Sequence, residues 1–358
     1  MNSAIDQNLL PGRLGNTDAD ILSDRRLDPR IKAALELAPP FEAPEGGVSE
    51  RDSYADLLDF CLAFEQAGEA THPLQHSVMP EFAVNVQTQV ISGIDDNPIN
   101  LYIHSPTNQK GLLPGVVHTH GGGMVLMTAQ DPGFVRWRSY LASLGLVVIG
   151  VEFRNGGGKL GNHPFPAGLN DCASATQWIA QHKSELGISH LVISGESGGG
   201  NLSIATTMKA LQEGWVNKIS GVFAMCPYIS GVYADPPGNL LSLTENDGYL
   251  LSCEMMGGLA KIYDPEGQHK RNPLAWPYHA NAQELQGLPP HFISVNELDP
   301  LRDEGLAFYR KLVNAGVSAV AQTVHGTPHA GDVTFPDLTP EVYASSADAL
   351  YNFAGRVA

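Results

Sequence analysis

From Phe82 the chain alternates apolar and polar residues, first in FAVNVQTQVISG and then in PINLYIHSP. A two-residue period marks half-buried strands, and the turn formers Asp95, Asp96 and Asn97 between the runs predict an antiparallel pair. Shorter, more uniformly apolar runs follow: GVVHTH, LVVIGVEF, HLVISGES, ISGVFAMCP, HFISVNEL and VSAVAQTV. Helical spacing fills the stretches after them, at 133–145, 167–187, 199–213, 302–315 and 341–355. Strands apolar on both faces, regularly interrupted by helices, predict an α/β fold with a doubly wound, mostly parallel sheet.

Two regions break this rhythm. Between Pro227 and Pro289 lies a connection rich in Gly, Pro and Asn, with one helical stretch around 253–263, too long for a bare loop in a compact domain. Residues 1–80 carry more than twice as many acidic as basic residues and a Pro/Gly-rich patch, APPFEAPEGG. In YADLLDFCLAFEQAG, Leu57, Leu58, Cys61 and Phe64 share one helix face. The expected organisation is an N-terminal cap region at 1–80 and a main domain at 81–358 that carries a cap insertion at about 228–288.

Composition narrows the function classes. With 21 Lys and Arg against 38 Asp and Glu, the net charge of −17 makes nucleic acid an unsuitable partner. Cysteines at 61, 172, 226 and 253 have neither metal-ligand spacing nor the density of a disulfide scaffold, and read as reduced, mostly buried thiols. The start, MNSAIDQNLLPGRLG, lacks the basic and apolar segments of a signal peptide, and LGLVVIGVEF is too short to span a bilayer. A cytoplasmic location without membrane attachment is expected, and a homodimer is the assembly considered.

Chemistry concentrates at SGESGGGN. Ser197 stands in Gly195-Glu196-Ser197-Gly198-Gly199, a GxSxG pattern at a strand-to-helix turn. Small neighbours let a nucleophile sit on a tight turn above the sheet, although a glycine loop for a phosphate has similar composition. The nucleophile reading requires a base and an orienting carboxylate, in the order serine, acid, histidine. Asp299, Glu297 and Asp303 lie at the end of HFISVNEL, and His325 and His329 in HGTPHAGD; position alone leaves both choices open. Donors for a developing oxyanion are available in His120-Gly121-Gly122-Gly123, where the amides of Gly122 and Gly123 would join that of Gly198.

Two competing motifs are weaker. Gly156-Gly157-Gly158-Lys159-Leu160-Gly161 matches GxGxxG, but NHPFPAG delays the helix that a phosphate cradle requires. His118 and His120 point to one side of a strand without a third ligand at suitable spacing, so no metal and no cofactor is expected. His120 is better placed to brace the glycine loop.

As a set, HTHGGGM, VEFRNGGGKLGNHPFPAGLND, GESGGGN, DPLRDEG and HGTPHAG resemble the hormone-sensitive-lipase-like, HGGG-type branch of the bacterial carboxylesterases, closest to brefeldin A esterase-like members. The resemblance spans about residues 80–355. It implies an α/β-hydrolase fold for the main domain and a triad of Ser197, Asp299 and His329. It also implies a serine esterase acting on a small-molecule ester through an acyl-serine; short- to medium-chain esters are the expected substrates, and the net charge of −17 favours neutral over anionic ones. An amidase or deacetylase with the same triad, or a hydrolase-fold receptor without catalysis, is the alternative.

Overall fold

The computed structural model describes residues 10–37 and 48–358. The Pro/Gly-rich patch at 38–47 and residues 1–9 lie outside the described residues. Eight strands form one sheet: β1 (Val84–Ser92), β2 (Pro98–Pro106), β3 (Leu113–Thr119), β4 (Val147–Glu152), β5 (Ile188–Glu196), β6 (Gly221–Met225), β7 (His291–Leu298) and β8 (Ala319–Pro328). Their order is β1-β2-β4-β3-β5-β6-β7-β8, antiparallel at β1-β2 and β2-β4 and parallel from β4 onward.

Side chains of successive strand residues leave opposite faces of the sheet, so each central strand feeds two cores. Val116, Val148, Val192 and Phe223 pack with the helices Pro132–Ser143 and Pro340–Arg356. Their sequence neighbours Val117, Ile149 and Ile193 turn to the other face, towards Leu169, Cys172 and Ala173 of the helix Ala167–Gln181. Burial on both sides explains why these strands read as continuous apolar runs. The edge differs from expectation: Val86 and Val90 of β1 are exposed despite their alternation, because β1 pairs with β2 alone.

Above the carboxyl ends of the parallel strands, the helix Tyr54–Glu69 packs on the helix Cys253–Tyr263. Ser53 caps the first helix by accepting the Asp56 amide. Leu57 and Cys61 are fully buried as the periodicity predicts, Leu58 and Phe64 only partly, and Phe60 and Glu65 are buried as well. The helices approach closely at Gly258, where a Cβ would lie 3.1 Å from Leu57 Cδ2. All four cysteines are free and buried. Among the described residues, no helix is long and apolar enough to cross a membrane.

Candidate active site

The end of β5 turns into the helix Gly198–Gln212 through a single residue, Ser197. Its φ of 56° and ψ of −119° place an L-residue in a region that sterics disfavour, so the turn must be held from outside. Ser197 N–H donates to Met225 O at 2.9 Å, and Ser197 O accepts from Tyr228 N–H at 3.1 Å. Close packing then fixes the neighbours: a Cβ on Gly199 would sit 1.9 Å from Thr119 O, and one on Gly198 2.5 Å from Met124 N. The helix start is thereby pressed against the Gly121–Gly123 loop. As the first helical residue, Gly198 has no carbonyl one turn back for its N–H.

Beneath the turn a buried carboxylate joins the two loops. Glu196 Oε1 accepts the Gly121 amide at 2.9 Å, and Oε2 pairs with His118 Nε2 at 3.1 Å. Burial alone would raise this carboxyl, but His118 and the Gly121 amide more than offset it and hold it below the usual glutamate range. His120 Nδ1 donates to Gly121 O at 2.8 Å, and its ring stacks on Phe153 at 4.2 Å. Burial lowers its pKa to about 3, so the ring is neutral. Both histidines are engaged within the protein, which is what the bracing role anticipates for His120.

Of the acid and base candidates, the structure brings two together. Asp299, completely buried after β7, accepts His329 Nδ1–H at 2.8 Å through Oδ2 and Leu301 N–H at 2.9 Å through Oδ1. Glu297 instead accepts Gly326 N–H and lies 3.1 Å from His325, whose side chain is 76% exposed. Asp303 receives the Ser242 amide at 2.9 Å. The His329 side chain is 15% exposed at the surface of the site. Burial opposes its protonation, yet the Asp299 carboxylate and the Cys226 sulfur outweigh that and raise its pKa well above 6.5.

Ser197 follows the end of β5, and His329 follows the end of β8 in the same sheet. Met225, which holds the Ser197 amide, is followed by Cys226, whose sulfur lies within 4.8 Å of Asp299 and His329 ligand atoms. His329 is bonded to Asp299 rather than to the Ser197 hydroxyl; in unliganded hydrolases the serine–histidine bond is commonly long and tightens with substrate.

Several supporting residues escaped the sequence reading. Asn296 donates to Thr327 and Asp332 and accepts the Ala330 amide, fixing the His329 loop. Glu304 accepts Ile229 N–H, Ser230 N–H, the Ser230 hydroxyl and the Tyr233 hydroxyl, anchoring the chain after β6. In GGGKLG, Lys159 N–H donates to Glu65 Oε2 at 2.6 Å, while Glu65 Oε1 accepts Met127 N–H at 2.6 Å. The loop's amide is thus taken by a carboxylate of the protein itself, and Lys159 pairs with Glu69.

A mostly parallel sheet with a strained serine between strand and helix, a histidine and an aspartate after later strands, and a glycine loop beside the serine defines an α/β-hydrolase. The α/β-hydrolase-fold family model matches residues 116–332, and the chain belongs to that family. It is similar to brefeldin A esterase, a bacterial homologue of human hormone-sensitive lipase, with a TM-score of 0.89 and 40% identity over 97% of this chain and 98% of that one. It is 32% identical to carboxylesterase NlhH of Mycobacterium tuberculosis over 282 residues, 76% of this chain and 82% of the relative. An arylesterase of Saccharolobus solfataricus is 28% identical over 77% of this chain and 87% of its own. The protein is accordingly a carboxylic ester hydrolase of the hormone-sensitive-lipase-like group.

Proposed function

We propose that Ser197 attacks the ester carbonyl while His329 Nε2 takes its proton, with Asp299 holding the imidazole through Nδ1 and supporting the imidazolium. The oxyanion that forms is received by the amides of Gly122, Gly123 and Gly198. Collapse of this intermediate expels the alcohol, protonated by His329, and leaves an acyl-serine. Water, activated by the same imidazole, then releases the acid. The observations that carry this reading are the 2.8 Å Asp299–His329 bond and a serine held at positive φ, whose amide is bound by Met225, the residue before Cys226. Replacing Ser197 by alanine should reduce hydrolysis of a nitrophenyl ester to the residual rate of a site without a nucleophile. Retention of wild-type turnover would remove Ser197 from the mechanism.

Neutral short- to medium-chain esters are the substrates we favour, with segments 1–80 and 228–288 forming the cap over the acyl and alcohol groups. Support comes from Leu259 and Tyr228, which reach Gly123 at the proposed oxyanion loop, and from the acidic net charge of −17, which disfavours anionic substrates. A cytoplasmic location agrees with four unpaired buried thiols. Nitrophenyl esters from acetate to palmitate, assayed beside a half-ester of a dicarboxylic acid and an anilide, test these statements. An optimum at palmitate, faster turnover of the half-ester, or efficient anilide cleavage would each contradict them.

A further inference from the structure

Cys226 Sγ, a ring nitrogen of His329 and a carboxylate oxygen of Asp299 lie within 4.8 Å of one another. No step of ester hydrolysis uses the sulfur. Thiolate, imidazole and carboxylate together form the donor set that divalent zinc and its softer congener cadmium prefer over oxygen-only sites. We propose that these three side chains bind Zn²⁺ or Cd²⁺ and that the bound ion switches hydrolysis off.

The adjustment required is of side-chain size: the Cys226 sulfur, within 4.8 Å of the other two ligand atoms, closes by at most about 1.2 Å. With Zn–S near 2.3 Å and Zn–N near 2.0–2.1 Å, tetrahedral ligand atoms stand roughly 3.3–3.6 Å apart. Asp299 Oδ2 and His329 Nδ1, now 2.8 Å apart, therefore have to separate by only about 0.5 Å. Three protein ligands leave the fourth position for water, and the partial exposure of His329 gives the ion a way in. The ion takes the place of the proton that Nδ1 now shares with Asp299. From a neutral ring that proton moves to Nε2, and from an imidazolium it leaves to solvent while Nε2 keeps its own; the Cys226 thiol also releases its proton to solvent as the thiolate binds. An imidazole protonated at Nε2 has no lone pair for the Ser197 proton, so substrate still enters while chemistry stops. This consequence rests on His329 being the general base; the binding itself does not.

Binding and inhibition are therefore measured separately. In the Ser197→Ala protein, cadmium should produce the ultraviolet charge-transfer band of a cadmium thiolate, and that band should vanish in Ser197→Ala/Cys226→Ser and persist in Ser197→Ala/Cys253→Ser. In the Ser197 enzyme, micromolar Zn²⁺ should lower kcat at least tenfold with KM changed less than twofold, reversed by a chelator, and Mg²⁺ should have no effect. Cys226→Ser, compared with its own metal-free rate, should lose less than twofold. If Cys226→Ser misfolds, His329→Gln in the Ser197→Ala background should abolish the band instead. Absence of a band in Ser197→Ala, or a band unaffected by either ligand substitution, would overturn the site. A band without inhibition would keep the site and refute His329 as the base.

Discussion

Replacing Glu196 by alanine tests whether the oxyanion loop is held from below. The carboxylate makes two charge-assisted contacts, with the Gly121 amide at 2.9 Å and with His118 at 3.1 Å, and it is 4% exposed. Hydrogen bonds to charged groups contribute about 1.5–3 kcal/mol each, and these two share one acceptor group, so a combined loss of about 2–4 kcal/mol in stability follows. Catalysis should suffer separately, because Gly121 precedes both proposed donors of the loop. Losing one oxyanion donor outright costs about 10²–10³ in kcat, and a loosened loop should lose part of that, roughly 10–100-fold. Glu196→Gln keeps an acceptor for Gly121 N–H and should recover most of the rate. The assay is kcat and KM on a nitrophenyl ester, with thermal unfolding recorded on the same samples. KM should stay within twofold, since the loop acts on charge that develops after binding. An alanine variant that unfolds more easily but turns over at the wild-type rate would refute the reasoning, leaving Glu196 as a fold-stabilising residue only.

Two further outcomes follow from titrating groups. Since Asp299 raises the His329 pKa above 6.5, the acid limb of kcat/KM should lie above that value; Asp299→Asn should move it to lower pH and cut kcat by about 10⁴. Glu304 is raised by burial to about 7, despite its four donors. A raised carboxyl binds more protons folded than unfolded, so stability should fall by about 3 kcal/mol as pH rises from 4.5 to 7, and Glu304→Gln should flatten that slope in denaturant titrations.

The main domain was legible because its information is local. Strand and helix periods recur within windows of a dozen residues, and HGGG and GxSxG each sit at a strand end where backbone geometry selects glycine. Choosing Asp299 over Glu297, and His329 over His325, needed the resemblance or the fold, because both members of each pair lie a few residues apart on the same segment. The buried carboxylates were illegible for the opposite reason. Glu196 meets Gly121 across 75 positions and Glu304 meets Ile229 across 75, so no window contains both partners. Glu65 is buried by partners equally far off, Met127 and Lys159, which lie 62 and 94 positions away.

Glu65 also changes the meaning of GGGKLG. A glycine loop of this kind elsewhere waits for an anionic ligand, and here the anion is built into the chain, carried on the helix Tyr54–Glu69. Its second oxygen holds the amide of Met127, in the same loop that opens at His120 and passes through Gly122 and Gly123. The helix Tyr54–Glu69 therefore works as a tethered effector: its docking free energy is shared with the glycine loop through the Met127 amide. Evolution reshaping this helix for a new ester would retune the reaction rate along with the choice of substrate.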